Sequence, residues 1–207
     1  MTFKEKYGDH SSEIYKGNLD ISREKLNSLE GCYKEIKGKF NCSYNNLTSL
    51  EGTPKIVDGD FYCPRNKLIS LKGAPKIISG TFGCFNNNLT SLKGAPKIIN
   101  ENFSANNNKL TSLKGAPNTV NGNFYCFNNN LQSLEGAPNT VNGNFYCYDN
   151  PKLKSLNVLL GIKIDGNIYS DIMSDKEFKE DQKLFIKVHK NLNKYKKLKK
   201  LLQATKI

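Results

Sequence analysis

The chain has 207 residues, a formal charge of +12, and 37% hydrophobic residues with no tryptophan. That apolar content is low for a compact globule of this size and suits an elongated repeat protein, in which each turn buries only a thin slice of core. No apolar run approaches the ~18 residues a bilayer span needs, and the polar opening Met1-Thr2-Phe3-Lys4-Glu5-Lys6 is unlike a secretory signal, so a reducing, cytoplasmic location is expected.

Residues 1–14 read as an N-terminal segment or cap. From Tyr15 the chain repeats itself. Leu89-Thr90-Ser91-Leu92-Lys93-Gly94-Ala95-Pro96 recurs almost unchanged from Leu110 to Pro117 and returns with edits at Leu47, Leu68 and Leu131, and more faintly at Leu26. Every step between these copies is 21 residues, and a last copy at Leu153 comes one residue late, beside Pro151-Lys152. Such self-similarity marks a solenoid, here placed at 15–174. The unit reads (V/I)-x-G-x-F-x-C-x-x-N-x-L-x-S-L-x-G-x-P. Its Phe column runs Phe40, Phe61, Phe82, Phe103, Phe124, Phe145, and its Asn column Asn45, Asn66, Asn87, Asn108, Asn129, Asn150. Leu19 and Ile21 extend the frame backward, and Ile168 and Ser170 extend it forward after a two-residue slip, giving about eight turns.

Phe-x-Cys alternates with the period of a β-strand. A strand of about three residues is too short to survive alone, so it must pair with its copy in the next turn, ~4.8 Å away, in a parallel sheet. The Asn column sits where the chain leaves the strand, and its carboxamides are expected to satisfy backbone groups of their own and the neighbouring turn. The two Leu columns and Ile78, Ile99, Val120 and Val141 complete the core. The Gly-x-Pro corner returns the chain, because Gly permits the bend and Pro fixes φ. The return side is expected to be extended or turn-like. Two departures stand out: Glu101 replaces the Gly of 59, 80, 122 and 143, predicting a local distortion in the fifth turn, and Glu24 replaces the first ladder Asn, predicting a degenerate first turn.

Residues 175–207 hold eleven Lys and four acids. Leu184, Val188, Leu192, Tyr195, Leu198 and Leu202 fall at three- and four-residue steps, predicting a basic amphipathic helix. Its acids cluster at the start and its lysines at the end, as the helix dipole favours. It is expected to cap the open end of the solenoid. Lys187, Lys190, Lys194, Lys196, Lys197, Lys199 and Lys200 could also meet nucleic acid or an acidic partner, and a membrane surface is a weaker reading.

Five of the six cysteines repeat at multiples of 21, and Ile21, Ala105 and Ser170 stand in the same column. A metal ligand would not exchange so freely with Ile or Ala, so small core packing is the reading and no metal is expected. His10 and His189 stand apart in the terminal segments, and no phosphate-cradling loop or nucleophile elbow occurs. No catalytic residue, enzyme activity or cofactor is expected.

Phe82-x-Cys84-x-x-Asn87-x-Leu89 resembles the conserved half of a leucine-rich repeat, and the 21-residue unit with its Leu-x-Ser-Leu-x-Gly-Ala-Pro half is similar to repeats of bacterial and phage leucine-rich proteins. The resemblance covers about three-quarters of the chain. It implies a mainly β, curved leucine-rich-repeat solenoid with a parallel sheet on the concave side, partner binding there, and inhibition of a host or defence protein as one use. In this register the residues before Phe, after Phe and after Cys face outward. Large aromatics at such free positions mark an interface. Tyr125, Phe127, Tyr146 and Tyr148 form the densest cluster. Tyr62, Arg65 and Phe85 extend it, with Asn106 and Arg65 tuning specificity. The rival explanations are that the rings shield one another or pack under a terminus. A protein partner is the first expectation, nucleic acid at the lysine tail the alternative, and self-assembly a third.

Overall fold

A computed structural model describes residues 1–174 and 176–183. The sequence-predicted lysines from Lys187 to Lys200, with the apolar stripe from Leu184 onward, lie outside the described residues.

The described chain is a mainly β solenoid. Strands Leu19–Asp20, Phe40–Asn41, Phe61–Tyr62, Phe82–Gly83, Phe103–Ser104, Phe124–Tyr125, Phe145–Tyr146 and Ile168–Tyr169, numbered here as turns 1 to 8, stack in parallel into one long sheet. Phe pairs with Phe in register from Phe40 to Phe145, and Phe145 pairs with Ile168, so the two-residue slip is absorbed outside the strand. The absorbing segment is a short 3-10 helix, Asn157–Gly161, whose Leu159 fills the core.

Each Phe of the column is wholly buried. Neighbouring rings lie 5.0–5.5 Å apart and near-parallel, except Phe82 and Phe103, which cross at 76°. Burying one such ring is worth about 1.5–3 kcal/mol, and the rings form a continuous spine. The cysteines flank it, all buried and unpaired. At the corners Gly94 has φ of 101°, and a Cβ there would sit 2.4 Å from the Leu71 carbonyl oxygen. Glycine is therefore required both by its backbone angle and by the close approach of the turn below.

The return side is extended, as expected, and it also pairs. Ile14–Lys16, Glu35–Lys37, Ile56–Val57 and Ile77–Ile78 make one parallel ladder; Ile98–Ile99, Thr119–Val120, Thr140–Val141 and Lys163–Ile164 make another. The two ladders are separate. The seam falls between turns 4 and 5, and no backbone hydrogen bond among the described residues joins 97–101 to 76–80. Glu101 accounts for it. In the turns that keep glycine, a Cβ would lie 2.5–3.0 Å from the backbone of the turn below, as at Gly122 against Glu101 and Gly80 against Gly59. Glu101 carries such a Cβ, so turn 5 stands off from Gly80. Its carboxylate reaches back to accept a 3.0 Å bond from the Thr81 hydroxyl. Replacing Glu101 by Gly should close the seam. Two or three recovered backbone bonds outweigh the lost Thr81 contact by about 1 kcal/mol, which raises Tm by about 2–4 °C. A thermal melt showing a lower Tm would mean that the Thr81–Glu101 bond holds the seam.

Both ends are covered. The N-terminal helix Phe3–Tyr7 starts at a Thr2–Glu5 capping box and buries Phe3 against the first turn, with Phe3 and Lys4 N–H groups donating to Ser28 and Glu30 carbonyls. The helix thus covers the first turn, while Ile14 already pairs with Glu35 in the return-side ladder. Glu24, in place of a ladder Asn, pairs with Lys6 of this helix. At the other end, helical residues 176–183 place Phe178 in the core, and the Gln182 amide donates to the Ile162 carbonyl at 3.0 Å.

Candidate functional site

The residues of the long-sheet face follow from the strand period, and three columns define it. The column before Phe was expected to face solvent freely, and the structure corrects this. Asp60 and Thr81 are buried. Side-chain oxygens of Asn18, Asp60, Asn102, Asn123 and Asn144 each accept the backbone N–H of the next turn, at 2.7–2.9 Å. They form a second ladder beside the predicted one. Burial raises the Asp60 carboxyl, but Lys39 at 2.8 Å and the Thr81 N–H outweigh it and hold the group below its ordinary value.

In the column after Phe, Tyr125, Tyr146 and Tyr169 stack face to face at 4.7 and 4.5 Å, with planes 13° and 5° apart. The Asn123 amide donates to the Tyr125 hydroxyl at 2.9 Å and the Asn144 amide to the Tyr146 hydroxyl at 3.0 Å, so two rings are fixed at both ends. In the column after Cys, Phe127 and Tyr148 stack at 4.6 Å. Tyr125, Phe127, Tyr146 and Tyr148 therefore form one contiguous surface, half-buried by mutual stacking with edges open. The shielding explanation accounts for the rings' order, yet the surface remains accessible. Tyr169, which the sequence reading left out, continues it and is 42% exposed. Its position after Ile168 in the repeat frame was the available signal.

Tyr62 and Phe85 lie on the same face across turn 5. Tyr62 leans over turn 4, where a Cβ on Gly83 would meet its Cδ1 at 2.7 Å. Burial pushes the Tyr62 phenol up, and the Asp60 charge adds to this. Phe85, Ser104, Asn106, Tyr125 and Phe127 line a shallow recess of about 220 Å³. Asn106 is only 9% exposed.

Arg65 does not join this cluster. It sits, with Tyr44, Asn86, Asn107, Asn128 and Asp149, in a left-handed column before the ladder Asn. That backbone suits Asn and Asp and strains Tyr and Arg. The chain's two arginines bracket one ring there: the Arg23 and Arg65 guanidinium carbons lie 4.6 and 5.1 Å from the Tyr44 centroid.

Burial pushes every cysteine thiol up, to about 12 for Cys32 and Cys147, so the column stays protonated and unreactive near neutrality. Among the described residues no three His, Cys, Asp or Glu converge as a metal would need, and no helix is long and apolar enough to cross a membrane. No family model, curated protein or solved structure matches the chain.

Proposed function

We propose that the chain is a leucine-rich-repeat-type binding module that holds a protein partner on its long-sheet face, anchored by Tyr125, Phe127, Tyr146 and Tyr148. The observation carrying this reading is the stacked aromatic surface itself. Large rings on a sheet face that core packing does not require are the composition of an interface centre. These rings are already ordered by stacking and by Asn–hydroxyl bonds, so binding costs little side-chain entropy. The action is occupation or scaffolding of the partner by a rigid surface, inhibition being one form of it. A reducing compartment belongs to the same reading, since it leaves the six buried thiols free.

Affinity capture from the native host, compared between the wild-type chain and Tyr125→Ala with Tyr146→Ala, tests it. Loss of two central anchors should weaken capture by about 30-fold or more, at roughly 2 kcal/mol or more for a hot-spot residue, while circular dichroism stays unchanged. A partner retained undiminished by the folded variant would remove the aromatic face from consideration.

A further inference from the structure

The aromatic surface has one gap, and both columns have it in the same turn. Tyr62 overlies turn 4, and Tyr125, Tyr146 and Tyr169 follow from turn 6; only Ser104 intervenes. In the neighbouring column Phe85 precedes and Phe127 follows Asn106. Two strand spacings put Phe85 and Phe127 about 9.5 Å apart, close to twice the 4.6 Å at which Phe127 stacks on Tyr148. One planar ring fits between them at the pitch that the ladder already uses.

The floor of the gap is polar, and its side-chain amide donors have no acceptor among the described residues. Asn102 stands to Ser104 as Asn123 stands to Tyr125. Its Oδ1 accepts the Asn123 N–H at 2.8 Å, as Asn123 Oδ1 accepts that of Asn144, so its amide is held in the same way. In turns 6 and 7 that amide donates to a tyrosine hydroxyl. In turn 5 nothing among the described residues accepts from it, and the carboxamide of Asn106, a residue 9% exposed overall, makes no hydrogen bond among them either. Both amides are open to a ligand that brings an acceptor and a peptide group.

We propose that this slot receives one tyrosine side chain of the protein partner, its ring between Phe85 and the Tyr125–Phe127 wall. The hydroxyl takes the Asn102 amide, and Asn106 bonds the peptide group that carries the ring. The occupant is set by complementarity: the slot lacks what turns 6 and 7 supply from their own chain. A nucleobase would match the stacking, but the Asp60 and Glu101 carboxylates, whose charges act on Tyr62 beside the slot, disfavour the phosphates that accompany it.

The inference rests on the binding reading above, and its test separates the two. N-acetyl-tyrosinamide is titrated into the isotopically labelled full chain while the side-chain amide resonances of Asn102 and Asn106 are followed. Saturable shifts at both are expected. N-acetyl-phenylalaninamide, lacking the hydroxyl, should bind about threefold to tenfold more weakly. Ser104→Tyr completes the ladder from within and should abolish the shifts, and Asn106→Phe, which fills the other column, should abolish the Asn102 shift if Ser104→Tyr fails to fold. Equal binding of the phenylalanine probe, tighter binding of adenosine, or shifts that persist in the filled variants would each overturn the slot. If Tyr125→Ala with Tyr146→Ala releases the captured partner while Ser104→Tyr retains it, the face stands and the slot falls. If the probe behaves as expected but the partner ignores all these variants, the recess takes a tyrosine ring but not the partner's, and both the slot proposal and the face reading fall.

Discussion

Asn129→Ala should cost about 3–5 kcal/mol of stability, on the scale of total stability for many domains. Asn129 is 4% exposed and ties turn 6 to turn 5. Its Oδ1 accepts the Leu110 N–H at 3.0 Å, and its Nδ2 donates to the Ala105, Cys126 and Phe127 carbonyls at 3.1–3.2 Å. All three carbonyls keep a second donor, from the Asn108 amide, the Asn150 amide and the Asn107 backbone N–H respectively. The Leu110 N–H has no other acceptor among the described residues. One orphaned buried donor costs about 1–3 kcal/mol. The loss of two or three further bonds makes up the rest. Asn130→Ala, one residue on and exposed, should change stability by less than about 0.5 kcal/mol. Urea melts of the two variants decide the matter. Equal midpoints would show that the ladder is not what joins the turns.

That ladder was legible in the sequence because its task admits one residue type. Only a short carboxamide both donates to two carbonyl levels and accepts from an N–H. Six Asn at fixed spacing announced it. The Phe spine, the cysteine column and the Gly-x-Pro corners were legible for the same reason, since each position imposes a single steric or hydrogen-bonding demand. Glu101 marked the distorted fifth turn because it broke such a demand. The second ladder, before Phe, was missed although Asn18, Asp60, Asn102, Asn123 and Asn144 recur at multiples of 21. Its demand is looser, being only for an oxygen within reach of the next backbone N–H. Lys39 and Thr81 stand in the column without meeting that demand and obscure it. The return-side ladders were missed because two-residue strands leave no period to read.

The candidate face was half legible. Strand alternation placed Tyr125, Phe127, Tyr146 and Tyr148 on one side. Which rings touch depends on features no alternation records. Arg65 is carried away by its left-handed backbone, and Tyr62 is drawn over Gly83 by the absence of a side chain there. The gap at turn 5 becomes visible only when both columns are laid side by side in register.

The six buried cysteines give the other large effect, a steep alkaline unfolding. An unfolded thiol ionises near its ordinary value of 9.0, whereas burial holds Cys32 and Cys147 protonated to about 12 and pushes the other four up as well. The folded state therefore binds more protons than the unfolded state above pH 9. Stability is unaffected below that point and falls as pH rises toward 12. Each thiol removes about 1 kcal/mol per pH unit, so near pH ~10 six together remove on the order of 6–8 kcal/mol, within the range of total stability. The raised phenol of Tyr62 adds to the trend with the same sign. In reductant, circular dichroism against pH should show cooperative loss of structure between about pH 9.5 and 11, with thiolate absorbance appearing together with unfolding. Cys63→Ala with Cys126→Ala should shift the midpoint upward and reduce the slope by two protons; Ala105 shows that the column accepts alanine. Thiolate absorbance that rises near pH ~9 in a chain with intact dichroism would mean that water reaches the cysteines, and that the core along this column is not closed.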